Sequence, residues 1–217
     1  MIDINQPSCF KGGLSVKISS VDDGTMLDRT RGAYAPDIVA NRQKFCQEIG
    51  IDYSDVVYQK IVYDETQTYD VIREVGATDT TRHTPEVVAD ALITREKNVA
   101  LMLPVADCVA TVVYDPRQKS VAMLHLGRHS TVANLMQRVI ETFAQNGSQP
   151  EDLIVWMSPN AHASHYVMDY FDHVNAPEWQ NFCKQKADGF HIDMQGYNAE
   201  VCRQAGVQPE NIHTSPI

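Results

Sequence analysis

Two apolar, β-branched runs, CVATVVY (108–114) and SVAMLHL (120–126), flank Asp115-Pro116-Arg117-Gln118, a strong turn signal, and together read as an antiparallel hairpin. Upstream, PDIVANRQKFCQEIG (36–50) brings Ile38, Val39, Phe45, Cys46 and Ile49 near one helical stripe, with Pro36 at its start and Gly50 just past its end. VVYQKIVY (56–63) has the β-branched and aromatic content of a strand, residues 64–84 are polar and loop-like, and Val99 to Val105 is a further strand candidate. After the hairpin, Ser130 or Thr131 can cap a helix reaching Asn146. Its apolar positions Val132, Leu135, Met136, Val139, Ile140 and Phe143 keep helical spacing before Gly147. Leu153 to Met157 predicts a short strand, Trp179, Phe182 and Cys183 predict a helix, and a last helix spans Gly196 to Ala205 before Gly206. Strands and helices are mixed along the whole chain, as in an α/β or α+β domain.

No repeat, low-complexity tract or Pro/Gly-rich linker divides the 217 residues, so residues 1–217 are expected to form one domain. The opening MIDINQPSCF lacks a basic n-region and an apolar h-region, and no later run approaches the ~18 apolar residues of a membrane span; a cytoplasmic protein is expected. Cys9, Cys46, Cys108, Cys183 and Cys202 are odd in number and contain no CxxC pair, which predicts reduced thiols. The net charge of -10 argues against nucleic acid as a partner, although a local basic pocket is compatible with it.

The hairpin carries the chemistry. A two-residue loop at Pro116-Arg117 sets Cys108 opposite His125, and a loop longer by two residues makes them diagonal neighbours. Opposed Cβ atoms lie ~5 Å apart, close enough for a thiolate and an imidazole to hydrogen-bond or share a metal ion. The plainer alternative is a buried cysteine beside a histidine that ends a strand. Beyond His125, Gly127 permits close backbone approach, Arg128 and His129 add polar groups, and the helix start at Ser130-Thr131 can receive an anion. His162, His165 and His173 form a further histidine-rich patch, read as surface rather than as a second metal site.

At ADC (106–108) and HLGRHS (125–130) the sequence resembles the YfiH-type laccase domain family, the multicopper polyphenol oxidoreductases, in which ADC, a hairpin, HAGWRG and a helix follow one another. FKGGLS near the start, Asn41-Arg42, the strand with Gln59, ADALIT (89–94) and SPNAHASHYV (158–167) extend the likeness in collinear order. The resemblance implies a four-layer α/β/β/α sandwich with mixed sheets and a Zn²⁺ or Cu site built from one Cys and two His. It also implies phosphorolysis or deamination of purine nucleosides, with nucleoside and phosphate as partners. It makes Cys108 and His125 the metal ligands, Cys108, His125, Arg128 and His129 the catalytic candidates, and Gln59, Arg128 and Ser130 the substrate contacts.

The chain departs from that pattern where the first histidine of a Gln-x-His-Gly motif is expected, since it reads Gln59-Lys60-Ile61-Val62. A third ligand then has to come from His83, His129 or His162. Arg128 and His129 stand in the places of the family's Trp-Arg, and the chain ends at HTSPI, before the family's Cys-Thr and Arg-rich segments, so another chain is expected to supply a pocket wall, or the wall is missing. Three readings stay open: a divergent purine-nucleoside metalloenzyme; a metal-free Cys-His thiol hydrolase or deamidase with Cys108 as nucleophile and His125 as base; and a catalytically inactive scaffold.

Overall fold

The computed structural model describes residues 6–217. Its elements are α1 (Pro36–Glu48), β1 (Val56–Lys60), β2 (Ile72–Glu74), β3 (Val87–Val88), β4 (Ala91–Thr94), β5 (Ala100–Met102), β6 (Val109–Asp115), β7 (Ser120–Leu126), α2 (Arg128–Val132), α3 (Leu135–Gln145), β8 (Ile154–Met157), β9 (Val167–Met168), β10 (Cys183–Lys186), β11 (Gly189–Ile192), α4 (Met194–Gln204) and β12 (Ile212–Thr214). They pair into a six-stranded mixed sheet in the order β12-β8-β6-β7-β4-β2, a parallel sheet β3-β1-β5, and a small antiparallel sheet β10-β11-β9.

β6 and β7 are the predicted hairpin, but Asp115 pairs with Ser120, which leaves a four-residue loop, Pro116 to Lys119. His125 therefore faces Ala110, and Cys108 is its diagonal neighbour. Asp115 sets this register. Its side chain is buried, and Oδ1 accepts the N–H groups of Arg117 (2.7 Å) and Gln118 (3.0 Å), so the turn's amides have a fixed partner. Asp115→Ala is expected to cost about 1–2 kcal/mol, because two amides lose a charged acceptor. Urea unfolding checks this, and an unchanged midpoint would show that the strands alone hold the loop.

The alternation of side chains along the strands builds the layers. Ala91 and Ile93 of β4, Val109 and Val113 of β6, and Ala122, Leu124 and Leu126 of β7 share one core with Leu135, Val139 and Ile140 of α3 and Met194, Tyr197 and Cys202 of α4. Leu92, on the opposite face of β4, packs with Val57 of β1, Val75 and Ala89 in a second core between the sheets. On the far side of β1, Arg42 of α1 lies over the Tyr58 ring at 4.1 Å and donates to its hydroxyl at 2.8 Å. The order is thus α1, parallel sheet, six-stranded sheet, α3 with α4: an α/β fold in four layers. His125 has the opposite parity to Leu124 and Leu126, so its ring leaves the α3 face and points toward the side of the parallel sheet.

Three elements differ from expectation. β1 stops at Lys60, which puts Tyr63 in a loop. The helix after the hairpin is two helices, because Asn134 takes a left-handed conformation (φ 58°) that ends α2 and re-aims the apolar stripe of α3. Trp179 ends a short 3-10 turn opened by Pro177, and the chain then runs out as β10. Trp179 is a single buried anchor, stacked on Tyr197 at 3.9 Å and edge-on to Phe171 at 4.8 Å, rather than part of a helical stripe. Among the described residues, no helix is long and apolar enough to cross a membrane.

Candidate functional site

Cys108 and His125 meet at Gly127. The backbone there (φ -93°, ψ -178°) suits any residue, so space rather than torsion calls for glycine. A Cβ at Gly127 would stand 3.1 Å from Cys108 Sγ, 3.1 Å from His125 Cε1 and 3.5 Å from His125 Nε2. Thiol and imidazole thus flank the missing side chain. Cys108 is presented by a tight turn in which Asp107 is left-handed (φ 68°) and the Cys108 N–H bonds the Ala106 carbonyl at 2.8 Å. His125 is held by its own backbone, whose N–H donates to the Asp90 carbonyl (2.9 Å) and whose carbonyl accepts from Ser130 Oγ (2.7 Å).

Ser130 also accepts the Gly127 N–H at 3.0 Å and is buried, so its hydroxyl ties the hairpin to α2. Gln59 is buried as well, its Nε2 donating to the Ala89 carbonyl at 3.1 Å and its Oε1 without a partner. Cys108 and His125 come together at Gly127, Arg128 and His129 follow directly at the start of α2, and Gln59 and Ser130 are buried. A hollow of about 730 Å³ beside the end of α1, lined by Gln43, Gln47, Tyr53 and Thr81 among others, lies elsewhere.

In front of His125 stands a strip that the strand and motif reading missed. Tyr63 places its hydroxyl 3.2 Å from His125 Nε2, with the two rings edge-on. Arg29 lies over the Tyr63 ring at 4.5 Å, and Tyr69 is Tyr63's neighbour at 6.2 Å. Tyr69 stacks on His129 at 4.5 Å, and Arg128 Nη2 reaches His129 Nε2 at 3.1 Å. The result is a continuous row, Arg29-Tyr63-Tyr69-His129-Arg128, with a guanidinium at either end. Tyr69 is left-handed (φ 58°), a costly conformation for an aromatic residue, and with Asp107 it gathers backbone strain at this place. The available signal was a pair of tyrosines bracketing the otherwise polar DETQT after a strand.

Burial, helped by the Arg29 charge, pulls the His125 imidazole down to about 4, so it is neutral at physiological pH. Burial and the Asp107 carboxylate push the Cys108 thiol up against a smaller lowering by Arg29. Burial and the neighbouring Cys108 likewise raise the Tyr63 phenol. The corner therefore rests as thiol, neutral imidazole and protonated phenol, not as the thiolate-imidazolium pair that a thiol hydrolase uses. Tyr166 belongs to the same environment: burial raises its phenol first, then Cys108, with Arg128 opposing.

These residues do not fit a three-ligand metal centre. Cys108 and His125 supply two donors, His125 Nε2 already faces the Tyr63 hydroxyl, and His125 Nδ1 is buried without a partner. His129 is engaged with Tyr69 and Arg128, and among the described residues no three His, Cys, Asp or Glu side chains gather closely enough to hold a metal ion. His83, His162, His165 and His173 add no such cluster.

The sequence model of the family described as multi-copper polyphenol oxidoreductase laccase matches residues 12–217. The chain is 27% identical over 187 residues to the protein named purine nucleoside phosphorylase YlmD of Bacillus subtilis, covering 83% of this chain and 67% of that one. It is 23% identical over 185 residues to adenosine deaminase RL5 of an unknown prokaryotic organism, covering 79% and 68%. It spans about half the length of further curated relatives. The crystal structure of Bacillus licheniformis hypothetical protein YfiH matches it with a TM-score of 0.72 at 25% identity, over 83% of this chain and 70% of that one.

Proposed function

The chain belongs to the multi-copper polyphenol oxidoreductase laccase family, and on that premise we propose that it is an enzyme that cleaves the base–ribose bond of purine nucleosides with phosphate. The names of its relatives support this substrate class. One observation carries the reading: an aromatic row with an arginine at each end includes a protonated phenol, Tyr63, that is backed by a neutral imidazole. A purine offers a flat π face for Tyr69 and Tyr63, and inorganic phosphate offers oxygens that a guanidinium binds with paired charge-assisted hydrogen bonds.

The chemistry divides among residues of known state. Arg128 holds phosphate so that one of its oxygens forms the bond to the ribose C1′, while the C1′–N9 bond breaks and its electron pair moves into the purine. Tyr63 donates its phenolic proton to the departing base, and the proton that phosphate loses on forming the ester returns to the phenolate. Proton count and charge balance, giving free base and ribose 1-phosphate. His125, neutral and fixed through Ser130 and Asp90, orients the Tyr63 hydroxyl. Cys108 lines the floor as a thiol.

Incubation with inosine, guanosine or adenosine in phosphate buffer is expected to yield free base and ribose 1-phosphate. Arg128→Ala should raise KM for phosphate roughly tenfold or more, the worth of one charge-assisted contact. Turnover of none of the three nucleosides by folded protein, or ammonia release from adenosine independent of phosphate, would overturn phosphorolysis.

A further inference from the structure

The family's description implies copper, yet the corner is built as though the positive charge and the acid were supplied by side chains. We infer that this chain works without a resident metal, and that Arg29 with Tyr63 occupies the role a cation would fill beside His125. Four features of the site lead there. The donors stop at two, a thiol and an imidazole, where catalytic metal sites commonly use three protein ligands and keep one position for water or substrate. The imidazole nitrogen that faces the site is bonded to a phenol 3.2 Å away, so a metal would have to displace Tyr63 to reach it. The Arg29 guanidinium lies 4.5 Å from the centre of that same phenol ring, and its fixed positive charge repels an entering cation. A Cβ placed at Gly127 would stand 3.1 Å from both Cys108 Sγ and His125 Cε1, so thiol and imidazole close on the same small space.

The substitution is chemically coherent. A metal ion at such a corner would place positive charge near a departing or attacking oxygen or nitrogen and set the proton inventory around it. Arg29 supplies the charge through the face of the ring, and Tyr63 supplies a proton that the desolvated position of its hydroxyl against His125 keeps in place. Tyr63 is 43% exposed while His125 is 5% exposed, so the phenol is the open end of the pair and the imidazole its buried support. Tyr63 thereby becomes a catalytic residue of the reading above, and His125 a positioning residue that acts through it. The absence of a metal stands independently of which nucleoside is used.

The test begins with the metal and needs no turnover. Elemental analysis of protein purified without chelator is expected to find far less than one zinc or copper per chain. Titration with Co²⁺ is expected to give no thiolate-to-cobalt charge-transfer band. Stoichiometric zinc or copper that disappears in Cys108→Ala, or a charge-transfer band in the unaltered protein, would overturn the inference. Nitrogen NMR of His125 then tests the phenol: Tyr63→Phe should change the Nε2 resonance in a chain that remains folded, and an unchanged resonance would show that the phenol does not hold the ring. If Tyr63→Phe shifts the resonance and the protein is metal-free but no nucleoside is consumed, the metal-free site stands and only the assigned reaction fails.

Discussion

Replacing Gly127 by alanine is expected to lower kcat/KM on purine nucleosides by about a hundredfold while the chain stays folded. The torsions at Gly127 are those of ordinary extended backbone, so alanine meets no backbone strain. What it meets is Cys108 Sγ and His125 Cε1, each 3.1 Å from the new Cβ, and His125 Nε2 at 3.5 Å. One neighbour must yield by a few tenths of an ångström. Cys108 sits on a tight turn through a left-handed Asp107, and His125 is fixed by Ser130 and Asp90, so the motion falls on the more weakly held imidazole tip and on its 3.2 Å bond to Tyr63. A misplaced phenol donates its proton poorly, which appears in kcat more than in KM. Circular dichroism and a thermal melt establish folding, and the kinetics give the effect. A folded Gly127→Ala protein with unaltered kcat/KM would mean that the reaction does not occur at this corner.

The sequence reveals the part of this site that lies on regular elements. The hairpin was readable from β-branched runs around an Asp-Pro turn, and with it the association of Cys108 and His125. The register itself was undetermined between a two- and a four-residue loop, and it was decided by Asp115, whose carboxylate gathers the amides of Arg117 and Gln118. The layer order came from a resemblance rather than from periodicity, because short strands such as Val87–Val88 and Ala100–Met102 carry too few residues to display a period.

Tyr63, Tyr69 and Arg29 were not legible for a different reason. They sit in irregular segments, and their contacts depend on how loops close over the sheet edge, which no local spacing encodes. VVYQKIVY reads as a strand to its last residue, and only the end of pairing at Lys60 frees Tyr63 to turn toward His125. Conversely, the family resemblance implies Ser130 and Gln59 as substrate contacts. In the structure both are buried: the Ser130 hydroxyl and the Gln59 Nε2 bond backbone groups, while Gln59 Oε1 is left without a partner.

Acid is expected to destabilise the protein in a window set by His125. Its folded value is about 4 against an ordinary 6.5, so between these values the unfolded chain binds a proton that the folded chain does not. Stability therefore rises with pH through this window: the contribution is fully present above 6.5 and is lost as pH falls toward 4. The slope is about 1.4 kcal/mol per pH unit for one proton, or about 3 kcal/mol across the window. The carboxylates of Asp28, Asp37, Asp64 and Asp188, held low by hydrogen bonds, act below their ordinary 3.8, and Glu86 and Glu200 act only below their ordinary 4.5, at the acid edge of the window. Buried Asp90 has the opposite sign, since burial raises its carboxyl and its ionisation costs stability as pH rises. His129, lowered by burial and by Arg128, adds in the same direction as His125, but it is exposed and solvent screens most of it. The variant His125→Asn isolates the dominant contribution, because it removes the titrating ring and leaves Asp90 and His129 in place. Urea unfolding from pH 4.5 to 7.5 in chelator should show a steep slope for the unaltered chain and a much flatter one for His125→Asn. Equal slopes would mean that His125 is charged or solvated in the folded protein, and the neutral imidazole behind Tyr63 would have to be abandoned.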